Sequence, residues 1–269
     1  MNPLQNKEFD ILKAFVKICE ELDLTYYLVC GSALGAVKYG GFIPWDDDVD
    51  VGLPREDYEV FCREAQGFLP VGLFLQTYQT DPNCPMIYAK IRDSRTTYIE
   101  HNSAAIKMNH GVYIDVFPLD GYPADPQQGK ILDIKKRVLK IMMISALEGN
   151  YSKKTRFLMK CLRFMGIHKK TQAIAGKYSK LISSFPANES IIWCNHGNWQ
   201  KKLEYAPREQ YGQGRMFKFE GLDVRVPEKY DEYLTQKYGD WRADLPDDQK
   251  IGHHYYEIMD LEKPYTEYI

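Results

Sequence analysis

The sequence lacks any apolar run long enough to cross a membrane. The apolar stretch at residues 141–147 (IMMISAL) is bounded by Lys140 and Glu148, whereas a spanning helix needs about 18 apolar residues. A secretory signal is missing as well, because the opening residues MNPLQNKEFDILKAF are acidic and amphipathic instead of basic and then apolar. Both absences predict a cytoplasmic protein.

Cysteine pairs with the spacing of a metal site are also missing. The six cysteines, at positions 19, 30, 62, 84, 161 and 194, form no CxxC motif, which favours reduced thiols in the core over disulfides or zinc ligands. Neither His253-His254 nor the pair Cys194 and His196 completes a set of four zinc ligands. We therefore interpret these histidines as surface or core residues.

A large net charge of one sign is absent, but charge is unevenly distributed along the chain. The chain carries 35 Lys and Arg residues against 37 Asp and Glu, a net charge of −2, which argues against a nucleic-acid-binding protein. Residues 130–180 contain 14 Lys or Arg residues and only two acids, Asp133 and Glu148, so this segment carries +12 and the rest of the chain −14. The sequence therefore predicts one strongly basic part.

Hydrophobic periodicity predicts a mixed α/β protein. Residues 7–22 show a helical apolar stripe, and residues 25–32 (TYYLVCGS) predict a short strand that ends at Gly-Ser before a second helix. Residues 131–182 carry two helical patterns with basic polar faces, interrupted at Gly149-Asn150. Further predictions are a helix at 55–69, strands at 72–78, 86–94, 96–100 and 111–122, a hairpin at 217–227 and a helix at 228–239.

An acidic motif follows the turn residues GGFIP. Asp46, Asp47 and Asp48 are consecutive, and Asp50 follows one residue later, a density of negative charge that requires a cationic partner. Because side chains alternate along a strand, Asp48 and Asp50 share one face, where two carboxylates suit Mg²⁺, or Mn²⁺ in its place. Asp46 shares this parity and is predicted to support the metal ligands, whereas Asp47 is predicted to face away. The other interpretation is an acidic surface turn or a cap for the helix that follows.

Groups that bind phosphate are predicted on both sides of the acidic motif. Gly31 and Ser32 end a strand and open a helix, where free backbone N–H groups bind phosphate and the Ser32 hydroxyl adds a ligand. Lys90 and Arg92 alternate within YAKIRDSRTTY, share a strand face and are predicted to clamp a diphosphate. The other interpretation of this pair is an exposed sheet edge. Lys38 is a further candidate for binding phosphate.

The segment CGSALGAVKYGGFIPWDDDVDVGLPREDYEVF resembles the signature of the LicD/fukutin family within the polymerase-β-type nucleotidyltransferase superfamily. The similarity resumes in YAKIRDSRTTYIE, GVYIDVFPLDGYP and VPEKYDEYLTQKYGDWRADLP. It implies a nucleotidyltransferase-type mixed β-sheet flanked by helices, with a third catalytic and metal-binding carboxylate at Asp115. The 15-residue spacer between Ser32 and Asp48 is longer than is typical of the superfamily and is similar to that of the LicD branch.

The resemblance also predicts the domain organisation. We expect residues 1–128 to form the nucleotidyltransferase catalytic core and residues 129–185 to form a basic helical insertion. Residues 186–269 are expected to pack back on the core.

The resemblance implies transfer of a phosphorylated alcohol from a CDP-activated donor to a sugar hydroxyl, with release of CMP. The best-known bacterial case uses CDP-choline, and the expected acceptor is a lipid-linked glycan precursor of the teichoic acid or lipopolysaccharide type. Asp115 is predicted to accept the hydroxyl proton or to assist the metal. The alternatives are CDP-ribitol or CDP-glycerol as donor, nucleotidyl transfer to a small sugar or antibiotic with release of pyrophosphate, and a non-catalytic scaffold.

Choline ends in a quaternary ammonium group, which aromatic faces recognise. The chain contains 20 Tyr, 12 Phe and 4 Trp, so an aromatic cage is permitted. The positions considered for such a cage are Tyr39, Trp45, Trp193, Trp199 and Trp241.

The basic segment at residues 130–180 predicts a second partner. Each Lys or Arg close to an anionic membrane contributes about 1 kcal/mol of attraction, and lipid-linked precursors are made at the inner membrane face. We therefore predict peripheral association with anionic lipid, or binding of a polyanionic acceptor.

Overall fold

The computed structural model describes residues 1–147, 152–197, 204–252 and 254–269. Within these ranges the chain forms a mixed α/β fold in which a curled sheet is flanked by helices, as the sequence predicted. The predicted interruption at Gly149-Asn150, the cage candidate Trp199, and His253 lie outside the described residues.

The bounds of the first two helices have clear local causes. The first helix starts at a capping box, in which Asn2 and Gln5 each accept a hydrogen bond from the other's backbone N–H. The second ends at Gly40, whose φ of 68° is the left-handed conformation that glycine adopts readily. The helices are α1 (Pro3–Glu21), α2 (Cys30–Tyr39), α3 (Arg55–Glu64), α4 (Pro126–Ile144), α5 (Lys153–Phe164), α6 (Thr171–Ile182), α7 (Arg208–Tyr211) and α8 (Tyr230–Tyr238).

Most of the strands belong to one mixed sheet. The strands are β1 (Tyr27–Leu28), β2 (Asp50–Pro54), β3 (Leu73–Gln76), β4 (Ala89–Asp93), β5 (Thr97–Glu100), β6 (Val112–Tyr122), β7 (Ile192–Asn195), β8 (Tyr205–Pro207), β9 (Arg215–Phe219), β10 (Leu222–Val226) and β11 (Tyr256–Asp260). The seven-stranded sheet has the order β1-β2-β6-β4-β3, and β7 joins β6 to β8. Of its pairs, β2 and β6 are parallel and the others are antiparallel.

The long strand β6 organises this sheet. Residues 112–116 of β6 pair with β4, residues 115–119 pair with β2 on the opposite edge, and the last four residues pair with β7. β6 is nearly all buried, because α1 and α3 pack against it. A strand that is buried on both faces has a mostly apolar sequence, which is why a strand could be predicted at residues 111–122.

Two smaller sheets bring the C-terminal part of the chain back to the first 130 residues. The hairpin β9–β10 is the one predicted at residues 217–227, and it contacts β1 and α2. β11 pairs with β5, although the two strands are more than 150 residues apart in sequence. This second pairing places the residues just before β11 beside the acidic motif.

The core has two parts. The larger cluster lies between the main sheet, α1 and α3, and includes the contact between the rings of Phe15 and Phe61, 5.3 Å apart. The smaller cluster lies beneath α4 and α6, around Met143 and Tyr178. Ile87, from the chain before β4, belongs to this cluster as well, so the helices of the basic segment pack on the first part of the chain through it.

Candidate active site

Three charged side chains meet where β2, β4 and β6 run side by side. Asp50 begins β2 and is in register with Asp115 of β6, and Lys90 of β4 is in register with Asp115 from the other edge. Residues in register on neighbouring strands point to the same face of the sheet. The Lys90 Nζ accordingly lies 2.8 Å from the Asp115 Oδ1. The structure therefore brings two predicted carboxylates and one predicted cation together.

The other acids approach from the segment between α2 and β2. The predicted strand at Asp48 begins only at Asp50, so the parity argument for Asp46 and Asp48 was wrong in detail: a loop, not a strand, positions them. A Cβ atom added at Gly31 would lie 2.8 Å from the Asp46 Oδ2. Glycine at position 31 thus lets the Asp46 carboxylate reach the start of α2. The Ser32 hydroxyl accepts a hydrogen bond from the Asp50 backbone N–H at 2.8 Å.

The first turn of α2 offers backbone donors beside these acids. The Cys30 N–H donates to the Tyr233 hydroxyl at 3.1 Å, and the Ala33 N–H donates to a backbone carbonyl. The N–H groups of Gly31 and Ser32 have no hydrogen-bond partner among the residues that the structure describes. Cys30 has a φ of 50°, a strained conformation for a residue with a Cβ atom. The start of α2 therefore has the geometry of an anion site.

The acids repel one another. Burial, followed by the charges of Asp48 and Asp47, raises the pKa of Asp46 to about 8. Burial, followed by the charges of Asp48 and Asp115, raises the pKa of Asp50 well above its usual range. Within the described ranges, no cationic side chain or hydrogen-bond donor contacts the Asp50 carboxylate. A divalent cation bound through carboxylate oxygens would relieve this repulsion, so these residues fit Mg²⁺.

His254 is a residue of the site that the sequence interpretation missed. Its Nδ1 lies 3.0 Å from the Asp47 Oδ1 and its Nε2 3.8 Å from the Asp48 Oδ2. Burial lowers the pKa of His254, but the hydrogen bond to Asp47 and the charges of Asp48 and Glu100 outweigh it and raise the pKa to about 10. Its interpretation as an ordinary surface or core histidine was therefore wrong, because β11 carries it to the acids from a distant part of the chain.

The same contact corrects the prediction for Asp47, which does not face away from the site. A Cβ atom added at Gly252 would lie 2.5 Å from the Asp47 Oδ2, so glycine is needed for the C-terminal segment to approach. Ligand atoms of Asp47, Asp48 and His254 lie within 4.8 Å of one another. Among the described residues, this is the group of three potential ligands that lie close enough together to share one metal ion.

Lys90 and Arg92 lie inside the protein, so the exposed-edge interpretation was wrong. The Lys90 Nζ lies 3.3 Å from the Tyr113 ring centroid. Arg92 is fully buried and donates hydrogen bonds to the Gln76 Oε1 at 2.6 Å and to the Gly111 carbonyl at 2.8 Å. Lys90 therefore contacts the Asp115 carboxylate of the site. The guanidinium of Arg92 instead donates to Gln76 and Gly111.

Lys38 is engaged elsewhere. Its Nζ donates to the carbonyls of residues 241, 242 and 243 and lies 3.3 Å from the Asp244 Oδ1. Among the aromatic cage candidates, Trp193 and Trp241 are buried. Tyr39 and Trp45 contact each other with ring centroids 6.2 Å apart, and Trp45 directly precedes the acids.

Glu8 of α1 was also missed. It is buried, and burial followed by the charges of Asp48 and Asp47 raises its pKa. Its signal was present in the sequence, because position 8 lies on the apolar stripe of α1 with Leu4 and Leu12. A carboxylate on such a stripe indicates a buried polar site.

Known proteins are similar to this chain in the region of the site and beyond it. Residues 23–137 match the family model described as LicD/FKTN/FKRP, nucleotidyltransferase domain. The chain is 28% identical over 267 residues to the lipopolysaccharide cholinephosphotransferase LicD of Haemophilus influenzae, covering 94% of this chain and 95% of that protein. A stretch of 52 residues is 48% identical to the human ribitol 5-phosphate transferase FKRP and covers 19% of this chain and 10% of that protein. Residues 23–137 therefore match a LicD/fukutin-type nucleotidyltransferase domain, and almost the whole chain is similar to a phosphotransferase enzyme.

Proposed function

We propose that this phosphoalcohol transferase moves phosphocholine from CDP-choline to a sugar hydroxyl of a cell-envelope glycan precursor, depends on Mg²⁺ and releases CMP. The similarity to a cholinephosphotransferase over 94% of the chain carries the proposal. The carboxylates Asp48, Asp50 and Asp115 lie within the residues matched by the family model. A teichoic acid or lipopolysaccharide precursor is the acceptor class that we propose.

The geometry supports an in-line transfer. Asp48, Asp50 and Asp115 would hold the metal, with Asp46 in support, and the metal would neutralise charge on the phosphate oxygens. The backbone N–H groups of Gly31 and the next residue donate to the donor phosphate. The acceptor hydroxyl oxygen forms a bond to the phosphorus that carries choline as the bond from that phosphorus to CMP breaks. The hydroxyl proton passes to Asp115, whose ionised form Lys90 favours.

A second donor is favoured by one comparison. The 52-residue match to a ribitol 5-phosphate transferase is more identical than the full-length match, so ribitol phosphate is the alternative group transferred. Tyr39 is exposed and Trp45 is half-buried, and the Nζ atoms of Lys38 and Lys250 lie 5.6 Å from their respective ring centroids. Ammonium groups thus already lie near these two rings, which favours choline, whose quaternary ammonium aromatic faces recognise.

Product analysis tests the proposal. The purified protein is incubated with Mg²⁺ and, in separate reactions, CDP-choline, CDP-ribitol or CDP-glycerol. Rapid release of CMP from CDP-choline, competed by simple alkylammonium ions, is the expected result. Preferred use of CDP-ribitol or CDP-glycerol would reject choline, and release of pyrophosphate from a nucleoside triphosphate instead of CMP from a CDP-alcohol would reject phosphoalcohol transfer.

The basic segment supports a location at a membrane surface, and we propose peripheral association at the cytoplasmic face. Exposed apolar side chains lie among its cations, including Ile131 and Ile134 on α4 and Phe157 on α5, and Phe164 is 94% exposed. Apolar side chains surrounded by Lys and Arg are typical of helices that lie on anionic lipid. No helix in the part of the chain that the structure describes is long and apolar enough to cross a membrane.

A further inference from the structure

A cavity of about 600 Å³ lies between α4 and the strands β7 and β8. We call it the basic pocket. Asn195 and Tyr205 from these strands line it opposite four cations of α4. The four cations are Lys130, Lys136, Arg137 and Lys140.

The two acids of the basic pocket are already engaged. Asp133 accepts a hydrogen bond from the Tyr205 hydroxyl at 2.9 Å and lies 3.4 Å from the Lys136 Nζ. Glu204 forms a buried ion pair with Lys237 at 2.9 Å. Because each acid is already paired with a lysine, neither neutralises the other cations of α4. The α4 side of the pocket therefore has an excess of positive charge.

Two of the remaining cations, Lys130 and Arg137, keep that positive charge in the pocket. Lys130 and Arg137 are exposed and form no ion pair with any residue in the described ranges. Burial, followed by the charge of Lys136, lowers the pKa of Lys140 to about 7. An anion in the basic pocket would relieve this repulsion.

A buried hydrogen-bond donor, the side-chain amide of Asn195, also lines the basic pocket. Asn195 is 4% exposed, and its Oδ1 accepts a hydrogen bond from the Gly197 N–H at 2.9 Å. Its Nδ2 has no hydrogen-bond partner among the residues that the structure describes. A buried amide donor without a partner costs free energy unless a ligand or water accepts from it. Donors and cations around one cavity match the oxygens of a phosphate group.

The basic pocket adjoins the candidate active site. The Lys237 that pairs with Glu204 also lies 3.7 Å from the Cys30 Sγ, and Cys30 begins α2 beside the carboxylates. The charge of Asp50 acts on the same lysine. One wall of the pocket is therefore separated from the start of α2 by a single ion pair.

We propose that the basic pocket binds a phosphate group of the acceptor substrate. The donor phosphates have their own partners at the carboxylates and the first turn of α2, so a second anion site across the Lys237 ion pair suits an acceptor that is itself a phosphate ester or diphosphate. The assignment to the acceptor rests on the proposed function, whereas the affinity for phosphate does not.

Calorimetric titration of the full-length protein tests the phosphate site. Inorganic pyrophosphate is the probe, and a chelator keeps divalent cations from the carboxylates. The pocket variants are Lys130→Gln and Arg137→Gln, and the matched control is Lys135→Gln, an exposed lysine of the same helix outside the pocket. We expect about a tenfold loss of affinity for each pocket cation removed and no loss for the control. Equal affinity in wild type and both pocket variants would overturn the proposal.

Two further readouts separate acceptor from donor and from the proposed function. With Mg²⁺ present, CMP affinity should be unchanged in the pocket variants, while KM for a phosphorylated glycan acceptor rises about tenfold in each. A loss of CMP affinity equal to the loss for pyrophosphate would overturn the acceptor assignment. If wild type binds pyrophosphate through Arg137 but consumes no CDP-alcohol, the proposed function fails and the phosphate site stands.

Discussion

At the scale of single residues, Asp50 is the carboxylate that a bound cation would stabilise most. Its carboxylate is partly buried between Asp48 and Asp115, and Lys90 contacts only the last of these. A site of this kind is built for a ligand at the expense of stability, as is common where catalysis needs concentrated charge.

Asp48→Asn, Asp50→Asn and Asp115→Asn should each lower transfer at least about 100-fold, because loss even of groups that only orient metal ligands costs roughly 10–100-fold. Asp50→Asn should at the same time raise Tm in chelator, since it removes a carboxylate whose ionised form is disfavoured by burial and by its neighbours. Initial rates and thermal unfolding measure the two effects. The control is Asp10→Asn on the exposed face of α1. A folded Asp50→Asn variant with wild-type turnover would show that the acid is structural.

His254→Gln should lower the thermal stability of the metal-free protein. Asp47 and Asp48 lose their nearest cation, and a lost hydrogen bond to a charged group costs about 1.5 kcal/mol or more, which corresponds to roughly 3–6 °C in Tm. Mg²⁺ should restore part of the loss, because it supplies positive charge to the same carboxylates. Thermal unfolding with chelator and with Mg²⁺ measures both. An unchanged Tm in chelator would show that the ion pair does not stabilise the folded protein.

The site residues differ in how far the sequence could reveal them. Asp48 and Asp50 were predicted from local spacing, because four acids in five residues demand a cationic partner. Asp115 was identified by resemblance, since one acid in an apolar strand carries little signal of its own. His254 was missed because its role depends on the pairing of β11 with β5, and a contact between such distant segments leaves no local pattern.

At the scale of elements, a buried ion pair fixes α3 to the central strand. The Arg55 guanidinium, at the first residue of α3, donates two hydrogen bonds to the Asp120 carboxylate of β6 at 2.6 and 2.8 Å. Both side chains are almost fully buried. The pair lies five residues along β6 from Asp115, so it orients the strand that carries this carboxylate.

Arg55→Met should lower the free energy of unfolding by about 3–5 kcal/mol, because Asp120 is left as a buried charge without its partner. The double variant Arg55→Met with Asp120→Leu should lose much less, because neither charge then remains in the core. Chemical denaturation of both variants measures this difference. Equal losses in the single and double variants would show that packing, not the charge, is responsible.

Lys140→Met should stabilise the protein in a pH-dependent way. The pKa of Lys140 is lowered from 10.5 to about 7, so the folded protein holds this proton less tightly than the unfolded chain does. The resulting cost is fully present below pH 7 and fades as the pH rises from 7 towards 10.5. The gain from Lys140→Met should follow the same course in phosphate-free buffer. Denaturation across this range measures it, with Lys135→Met as the exposed control, and a gain independent of pH would contradict the cause given.

The elements differ in predictability for the same reason as the residues. The hairpin at residues 217–227 and the helix α1 depend on neighbouring residues, and both were predicted. The start of β2 at Asp50, two residues later than expected, depends on where β6 offers a partner. Sheet order and register are set by contacts between distant segments, which the periodicity of one segment does not contain.

At the scale of the whole molecule, charge is divided between two parts. The segment at residues 130–180 carries +12 against −14 for the rest of the chain, and its helices α4 and α6 pack over a small apolar cluster that also includes Ile87. A molecule with this charge distribution has a large electric dipole moment. An anionic surface would therefore orient it, attracting the basic segment and repelling the rest. This orientation is the physical basis of the membrane prediction.

The purified protein should co-sediment with anionic vesicles at low salt and be released at high salt. Each cation near the surface contributes about 1 kcal/mol, so Lys153→Gln, Lys154→Gln and Lys160→Gln together should weaken binding by about 100-fold. Phe164→Ser should weaken binding at every salt concentration, because apolar insertion is not screened. Vesicles of neutral lipid measure the apolar contribution alone.

The control for charge is a variant that loses three exposed lysines outside the basic segment, at Lys13, Lys17 and Lys218. If attraction depended on net charge alone, this variant and the one on α5 would lose affinity equally. An oriented molecule predicts a loss confined to α5, because these three lysines belong to the acidic remainder of the chain. Absence of binding to anionic vesicles at low salt, or equal loss in the two triple variants, would contradict a membrane-facing basic segment.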